Sequence, residues 1–237
     1  IEKKIKSHFF LTKKDIRLDN FIKIALFNKN GYYYNKKPIG KKNDFITAPE
    51  ISQIFGEIIG LYLFYNWKTY FNSKFNLIEL GPGTGTLFKD INNSIKNYPD
   101  FFNYAKIFFI EINSELIKIQ KKNFKNLKFN NIKWGKTINF KSNLPSIIYS
   151  NEFFDCFPVR QFINKKLWYE KYVSINKQNN NFYLKHKLVK NKKLLSILDS
   201  YREEILEISF ERNKYFDKIC KFIKRRGGLF LTIDYGY

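Results

Sequence analysis

The residues best suited to chemistry fall in three short stretches. The first is Leu77-Ile78-Glu79-Leu80-Gly81-Pro82-Gly83-Thr84-Gly85-Thr86-Leu87, an apolar run with an acid near its end, followed by glycines at alternate positions. Gly81, Gly83 and Gly85, with Thr84 between them, would let backbone come close to a ligand at the start of a helix. Glu79 decides which ligand. A carboxylate at a strand end repels a pyrophosphate and attracts an ammonium group, which points to S-adenosylmethionine rather than a dinucleotide. Pro82 also departs from the G-x-G-x-x-G spacing of dinucleotide sites. The competing reading is an ordinary tight turn between strand and helix. The second stretch ends in Glu111, 30 residues after Gly81. At the carboxyl end of a second strand it would face the same crevice and accept both ribose hydroxyls; otherwise it is a solvated strand end. The third is Ser150-Asn151-Glu152-Phe153-Phe154-Asp155. Glu152 and Asp155, three apart beside aromatics, would grip a cationic acceptor or take its proton, or else belong to a capped turn. Asn151 followed by aromatics is faintly similar to the N-P-P-F loop of amino methyltransferases acting on DNA and RNA, with Glu152 in place of the first proline.

Other reactive types carry less. Trp134, at the expected end of a third strand, is equally compatible with stacking on an adenine and with a core position. His8 and His186 have no partners at metal or triad spacing and read as surface residues. Cys156 reads as a small core residue, and Cys220 stands far from it, so neither a disulfide framework nor a cysteine zinc site is expected.

These residues need a scaffold, and its rhythm is visible. Residues 76–80, 106–111, 131–134, 146–150 and 228–234 read as strands. Helical spacing lies between several of them, as in Leu87, Phe88, Ile91 and Ile95, and in a helix from Ser114 to about Asn123 that Ser114 would cap. Alternation of this kind predicts a doubly wound, mostly parallel α/β sheet. Residues 97–103 read as loop. Three extended pieces near 161–163, 167–175 and 182–189 predict an antiparallel β insert, and helical spacing returns over 192–225. At the other end, Leu18, Phe21, Ile22, Ala25 and Leu26 predict a helix over about 13–27, capped by Thr12 and ended by Asn30-Gly31. Thr47-Ala48-Pro49-Glu50 fits a capping box. Ile51, Ile54, Phe55, Ile58, Ile59 and Tyr62 then predict a helix of about four turns with that face buried. The expected division is an N-terminal helical segment, 1–72, packing on the cofactor site, and a methyltransferase domain, 73–237, carrying the insert at 160–190.

The chain has 237 residues, of which 44% are hydrophobic, enough for a packed core. No apolar run approaches the roughly 18 residues needed to span a bilayer, so membrane insertion is not expected. Lys and Arg number 43 against 21 acids, a formal charge of +22. That charge favours anionic partners, nucleic acid among them, yet the lysines are dispersed and accompany Asn, Ile, Phe and Tyr, as codon bias would produce. The lack of methionine and the stop after Asp234-Tyr235-Gly236-Tyr237 suggest a chain truncated at both ends, and the first residues lack the apolar core of a signal peptide.

Five stretches in this order resemble one family: Gly31-Tyr32-Tyr33; residues 44–57 (DFITAPEISQIFGE); the 79–87 glycine loop; residues 151–162 (NEFFDCFPVRQF); and Ile233-Asp234-Tyr235-Gly236. The chain resembles the MidA-like family of S-adenosylmethionine-dependent methyltransferases, whose mitochondrial members are complex I assembly factors that methylate an arginine. The resemblance implies a class I, Rossmann-like methyltransferase sheet with an N-terminal helical cap. It also implies that Glu79 and the Gly81–Gly83–Gly85 loop hold the methionine moiety, that Glu111 holds the ribose, and that Asn151, Glu152 and Asp155 face the acceptor. The stretch with Thr47, Glu50 and Gln53 would close over the cofactor. Cys156 stands where the family often has alanine, and Gly135 where a larger polar residue is common. The expected activity is protein-arginine N-methylation without a metal, on a protein substrate such as a complex I subunit, in a bacterial cytoplasm or alternatively the mitochondrial matrix. An RNA or DNA amino methyltransferase and a non-catalytic assembly factor are the alternatives. Glu152 and Asp155 would repel phosphate, which speaks against the first. The intact glycine loop speaks against the second.

Overall fold

A computed structural model of the protein describes residues 2–12, 14–29, 31–35, 46–127, 129, 132–138, 142–176 and 178–235. Asn30, Asp44, Phe45, Asn131, Gly236 and Tyr237, which figure in the sequence reading, lie outside these, as does the His8 side chain. In chain order the elements are α1 (Glu2–Thr12), β1 (Ile16–Arg17), α2 (Leu18–Phe27), α3 (Tyr32–Asn35), α4 (Ala48–Ile51), α5 (Gln53–Tyr70) and β2 (Phe75–Leu80). Then come α6 (Thr86–Ser94), α7 (Asp100–Tyr104), β3 (Ala105–Ile110), α8 (Ser114–Asn123), β4 (Ile132–Gly135) and β5 (Ser146–Asn151). The chain continues through β6 (Arg160–Asn164), β7 (Trp168–Ile175), β8 (Phe182–Leu188), α9 (Lys192–Leu198), β9 (Ile205–Ile208), α10 (Phe210–Arg226) and β10 (Gly228–Ile233).

Contacts divide the chain into two compact units, one of Ile1–Tyr32 with Phe157–Lys214, the other of Tyr33–Cys156 with Tyr215–Tyr237. The expected border at residue 72 is therefore corrected. Residues 1–32 join the β insert because Ile16 and Arg17 pair antiparallel with Val173 and Tyr172 of β7, a long-range ladder that local periodicity does not reveal. The same pairing shortens the expected 13–27 helix: α2 starts at Leu18, and Thr12 ends α1 instead of capping α2. The expected helix over 192–225 is interrupted as well. Residues 205–208 extend and pair with β6 as β9, so Leu206 lies opposite Phe162, which is fully buried. In this unit Arg160 makes a bidentate ion pair with the buried Glu170 at 2.7 Å.

The second unit holds the parallel sheet, in the order β10-β5-β2-β3-β4, all pairings parallel. β2 is central and buried along its whole length, which is why Phe75-Asn76-Leu77-Ile78-Glu79-Leu80 reads as a nearly continuous apolar run. Trp67, Phe75, Phe88, Phe101 and Phe109 form the fully buried aromatic centre, each ring contributing about 1.5–3 kcal/mol by burial. Phe88 meets Phe109 edge to face, with centroids 5.0 Å apart. Within the expected 97–103 loop the chain turns into the short α7, Asp100–Tyr104, which seats Phe101 in this core.

The helix expected from Thr47 differs in two respects. It breaks at Ser52 into α4 and α5, and its buried face is Gly56, Ile59, Gly60, Leu63 and Trp67. Ile51, Ile54 and Ile58 point outward, 72%, 63% and 60% exposed. The reason is the close approach of α6: a Cβ at Gly56 would strike Asp90, and one at Gly60 would strike Ser94. A helix that is apolar on most sides buries the face that lets its neighbour come nearest. Among the described residues no helix is long and apolar enough to cross a membrane.

Candidate active site

β2 and β5 lie side by side with Leu80 in register with Ser150, and the sheet is built outward from them in opposite directions. This is the topological switch point, where a crevice opens at the carboxyl ends of the strands. The glycine loop and the 151–155 turn leave the sheet there.

Gly81, Gly83 and Gly85 all have positive φ, +62°, +56° and +86°. An L-residue at each would cost about 1–2 kcal/mol in backbone strain alone. At Gly81 a Cβ would also come within 2.9 Å of the Phe153 ring. The Gly85 amide donates to the Pro82 carbonyl at 2.8 Å and closes the turn, and Gly85 serves as the N-cap of α6. The expected capping box at Thr47 does not form, since the Thr47 side chain makes no capping bond. Instead the Glu50 carboxylate reaches across and accepts from both Thr84 Oγ1 and Thr86 Oγ1, the latter at 2.8 Å. A spacing that fits a local cap is used for a long-range tie between α4 and the glycine loop.

One cleft is lined by Thr47, Glu50, Glu79, Gly81, Gly83 and Thr84, together with Asn151 and Glu152. Three of its lining residues are carboxylates, and among the described residues none is Lys, Arg or His, in a chain of formal charge +22. Glu79 forms its floor. It is 2% exposed, and its Oε2 accepts from the Tyr149 hydroxyl at 3.0 Å. Desolvation, with a smaller contribution from the Glu111 charge, pushes its pKa up to about 8 against the hydrogen bond from Tyr149.

At the end of β5, Glu152 holds a left-handed backbone, φ +49°, unusual for a residue with a side chain. Its amide donates to the Ile233 carbonyl at 2.8 Å. Its carboxylate accepts from the Tyr235 hydroxyl at 2.9 Å and from Asn151 Nδ2 at 3.3 Å. Asn151 Oδ1 is buried with no hydrogen-bond partner, an acceptor without a donor in the wall of the cleft.

Not every expected residue reaches this cleft. Glu111 is 7% exposed and turns back on its own backbone, accepting from the Ile112 and Asn113 amides at 2.8 Å. Desolvation raises its pKa to about 7 despite those bonds. Gln53 is exposed and donates to Glu57 at 2.7 Å, away from the cleft lining. Asp155 also stands outside the lining; burial and the neighbouring Asp234 raise its pKa. Gly85 lies below the loop against Phe124. Trp134 is half-buried at the edge of the core, where its indole donates to Gln120 at 2.8 Å and its ring packs at 5.7 Å from Phe109.

Four residues escape the sequence reading. Gln120 is fully buried: its Nε2 donates to the Gly83 carbonyl at 2.7 Å and approaches Glu111 at 3.5 Å, while its Oε1 accepts from Trp134. One amide thus ties the glycine loop, the β3 acid and the β4 tryptophan together. Asn113, and not Ser114, caps α8, accepting from the Glu115 and Leu116 amides. Asp234 accepts from the Phe154 and Asp155 amides at 2.8 and 3.3 Å and so braces the 151–155 turn. Tyr149 is the fourth. A polar residue inside an apolar strand is the available signal for Tyr149, and one inside a helix for Gln120. Their partners depend on strand register.

A family model described as "Putative S-adenosyl-L-methionine-dependent methyltransferase" matches residues 58–237. The chain belongs to the MidA-like family of S-adenosylmethionine-dependent methyltransferases. This MidA-like chain is 30% identical over 262 residues to the "Protein arginine methyltransferase NDUFAF7 homolog, mitochondrial" of Caenorhabditis elegans, covering 96% of this chain and 61% of the relative. It is 28% identical to the Drosophila melanogaster homolog of the same description, covering 87% of this chain and 53% of the relative. The human protein is 28% identical over 249 residues, covering 94% and 56%. The MidA-like chain therefore spans a little over half the length of these curated relatives. A superfamily member from Burkholderia thailandensis, crystallised bound to S-adenosyl-homocysteine, superposes with a TM-score of 0.82 at 18% identity, covering 100% of this chain and 62% of its own. That likeness shows the shared fold. The cofactor of the family, S-adenosylmethionine, suits the cleft: a buried carboxylate that accepts from a phenol and has no cation beside it among the described lining residues calls for an ammonium group, and the left-handed glycines leave room for it.

Proposed function

We propose that the protein transfers a methyl group from S-adenosylmethionine to an arginine of a protein substrate. The observation that carries this reading is the acidic cleft in a strongly basic chain: Glu50, Glu79 and Glu152 line it, with no basic residue among the described lining. Two cations fit such a cleft, the cofactor's ammonium at Glu79 and a guanidinium at Glu152. When bound, the cofactor supplies a methyl on a positively charged sulfur. The rest falls to the chain. Glu152, already anchored by Tyr235 and Asn151, has lone pairs left to accept guanidinium N–H groups and to hold one nitrogen in line. Positioning of this kind is the main source of acceleration for a direct displacement. The orphan Oδ1 of Asn151 offers a further acceptor beside it. The relatives' descriptions as protein arginine methyltransferases support the same acceptor, and complex I assembly is the proposed setting from the family resemblance. The proposed compartment is a bacterial cytoplasm, with the mitochondrial matrix as the alternative.

The test is single-turnover methyl transfer from labelled cofactor in the full-length gene product, with arginine-containing protein and RNA as competing acceptors. Glu152→Gln should leave cofactor affinity nearly unchanged and slow protein methylation by about a hundredfold, the low end for an orienting or proton-handling group. Tighter RNA binding with retained activity in the variant would overturn the arginine reading in favour of a nucleic-acid acceptor.

A further inference from the structure

Glu79 and Tyr149 occupy one register position on adjacent strands, β2 and β5, and so project from the same face of the sheet. Tyr149 is 1% exposed and Glu79 2%. A phenol oxygen and a carboxylate oxygen 3.0 Å apart in the middle of a sheet, where alternate neighbours are Leu, Ile and Phe, are out of place in a core built only for packing. The pair would be better replaced by two apolar side chains if stability were its sole purpose. It also sits at the cleft floor, since Glu79 is part of the lining. The other acids around it are Glu111 at the end of β3, whose charge bears on Glu79, and Glu50 and Glu152 in the cleft wall. No cation stands among the described lining residues to balance them.

We propose that Tyr149 is a positioning residue of the cofactor site: its hydroxyl holds the Glu79 carboxylate toward the cleft and sets the pH range over which that carboxylate receives the cofactor's ammonium group. The inference rests on the cofactor reading above and goes beyond it by assigning Tyr149. The physical reasoning is short. Burial favours the neutral acid, and the phenol donor favours the anion. The cofactor's ammonium needs the anion, so below about pH 8 binding must expel a proton from Glu79. Removing the phenol oxygen makes the anion harder to form and moves that requirement to higher pH. The reciprocal effect is visible on the phenol, whose own ionisation is pushed well up by burial and the Glu79 charge, so Tyr149 stays a donor throughout.

The experiment is calorimetric titration of S-adenosylmethionine and of S-adenosylhomocysteine, from pH 6 to 9.5, into wild type, Tyr149→Phe and Glu79→Gln. The homocysteine form keeps the ammonium and lacks the sulfonium. The ligand's own amine titrates in this range in every protein, so affinities are compared as ratios to wild type at each pH. A hydrogen bond to a charged group supports a loss of roughly tenfold or more at pH 7 in Tyr149→Phe, shrinking toward pH 9.5. Glu79→Gln should bind weakly at every pH and take up no proton-linked dependence of its own. Proton release measured in two buffers of different ionisation enthalpy should be greater in wild type than in Glu79→Gln at pH 7. A loss in Tyr149→Phe that is the same at all pH values would mark a merely structural role and overturn the inference, as would no loss. Should Tyr149→Phe not fold, Tyr149→Leu takes its place in the same comparison, and absence of Glu79-dependent proton release in wild type overturns the inference by itself. Absence of binding by wild type at every pH would instead sink the cofactor reading itself, and the inference with it.

Discussion

Gln120→Leu isolates the residue that links three parts of the site. The change is nearly isosteric and removes both ends of the amide. It leaves the Gly83 carbonyl and the Trp134 indole N–H without the partners they have at 2.7 and 2.8 Å. Gln120 is fully buried, so water cannot replace either bond without entering the core. Each orphaned group costs about 1–3 kcal/mol, and the leucine recovers part of that by burying apolar surface, about 1.5–3 kcal/mol for a whole side chain. Trp134 is half-buried and can turn its N–H toward solvent, which lowers its share. A net destabilisation of about 1–3 kcal/mol follows, most of it from the Gly83 carbonyl. The assay is equilibrium urea unfolding of wild type, Gln120→Leu, Trp134→Phe and the double variant. Once the leucine is present, removing the indole N–H should no longer lose a hydrogen bond, so the double variant should be less destabilised than the sum of the singles by about 0.5–1.5 kcal/mol. Strict additivity, or a Gln120→Leu protein as stable as wild type, would refute the linkage.

Two further substitutions address the cofactor. Gly83→Val should abolish S-adenosylmethionine binding in a folded protein, because φ of +56° strains a branched residue and its side chain would take the cofactor's space in the cleft; normal affinity by calorimetry would refute the loop's role. Glu111→Gln tests the ribose contact that the family resemblance implies for an acid outside the described cleft lining: a carboxylate that leaves the Ile112 and Asn113 amides for the ribose would cost roughly tenfold or more in affinity when replaced, and the change should at the same time stabilise the ligand-free protein at pH 8. The sign follows from burial: an acid whose folded pKa is raised to about 7 holds more protons folded than unfolded, so its contribution falls as pH rises from the ordinary carboxylate range through 7, and glutamine removes that fall. Melting temperatures from pH 5 to 8.5 check this, and parallel curves for wild type and variant would count against it.

Local chemistry in the sequence determined the sheet, the glycine loop and two of the three acids that line the cleft, Glu79 and Glu152. An apolar run, alternate glycines and an acid at the strand end leave few conformations open, and Glu79, Gly81, Gly83, Asn151 and Glu152 meet at one switch point as a parallel α/β chain requires. Tertiary structure alone decided what pairs across elements. Register put Tyr149 beside Glu79 and turned the apparent capping acid Glu50 onto Thr84 and Thr86. Packing chose the glycine face of α5 over its isoleucine face, because Asp90 and Ser94 of α6 come too close for any Cβ. The two-residue ladder at Ile16 and Arg17 assigned the first 32 residues to the insert's unit. Periodicity reports which side of an element is apolar; which element comes to cover it depends on contacts far apart in sequence, and those carry no local mark.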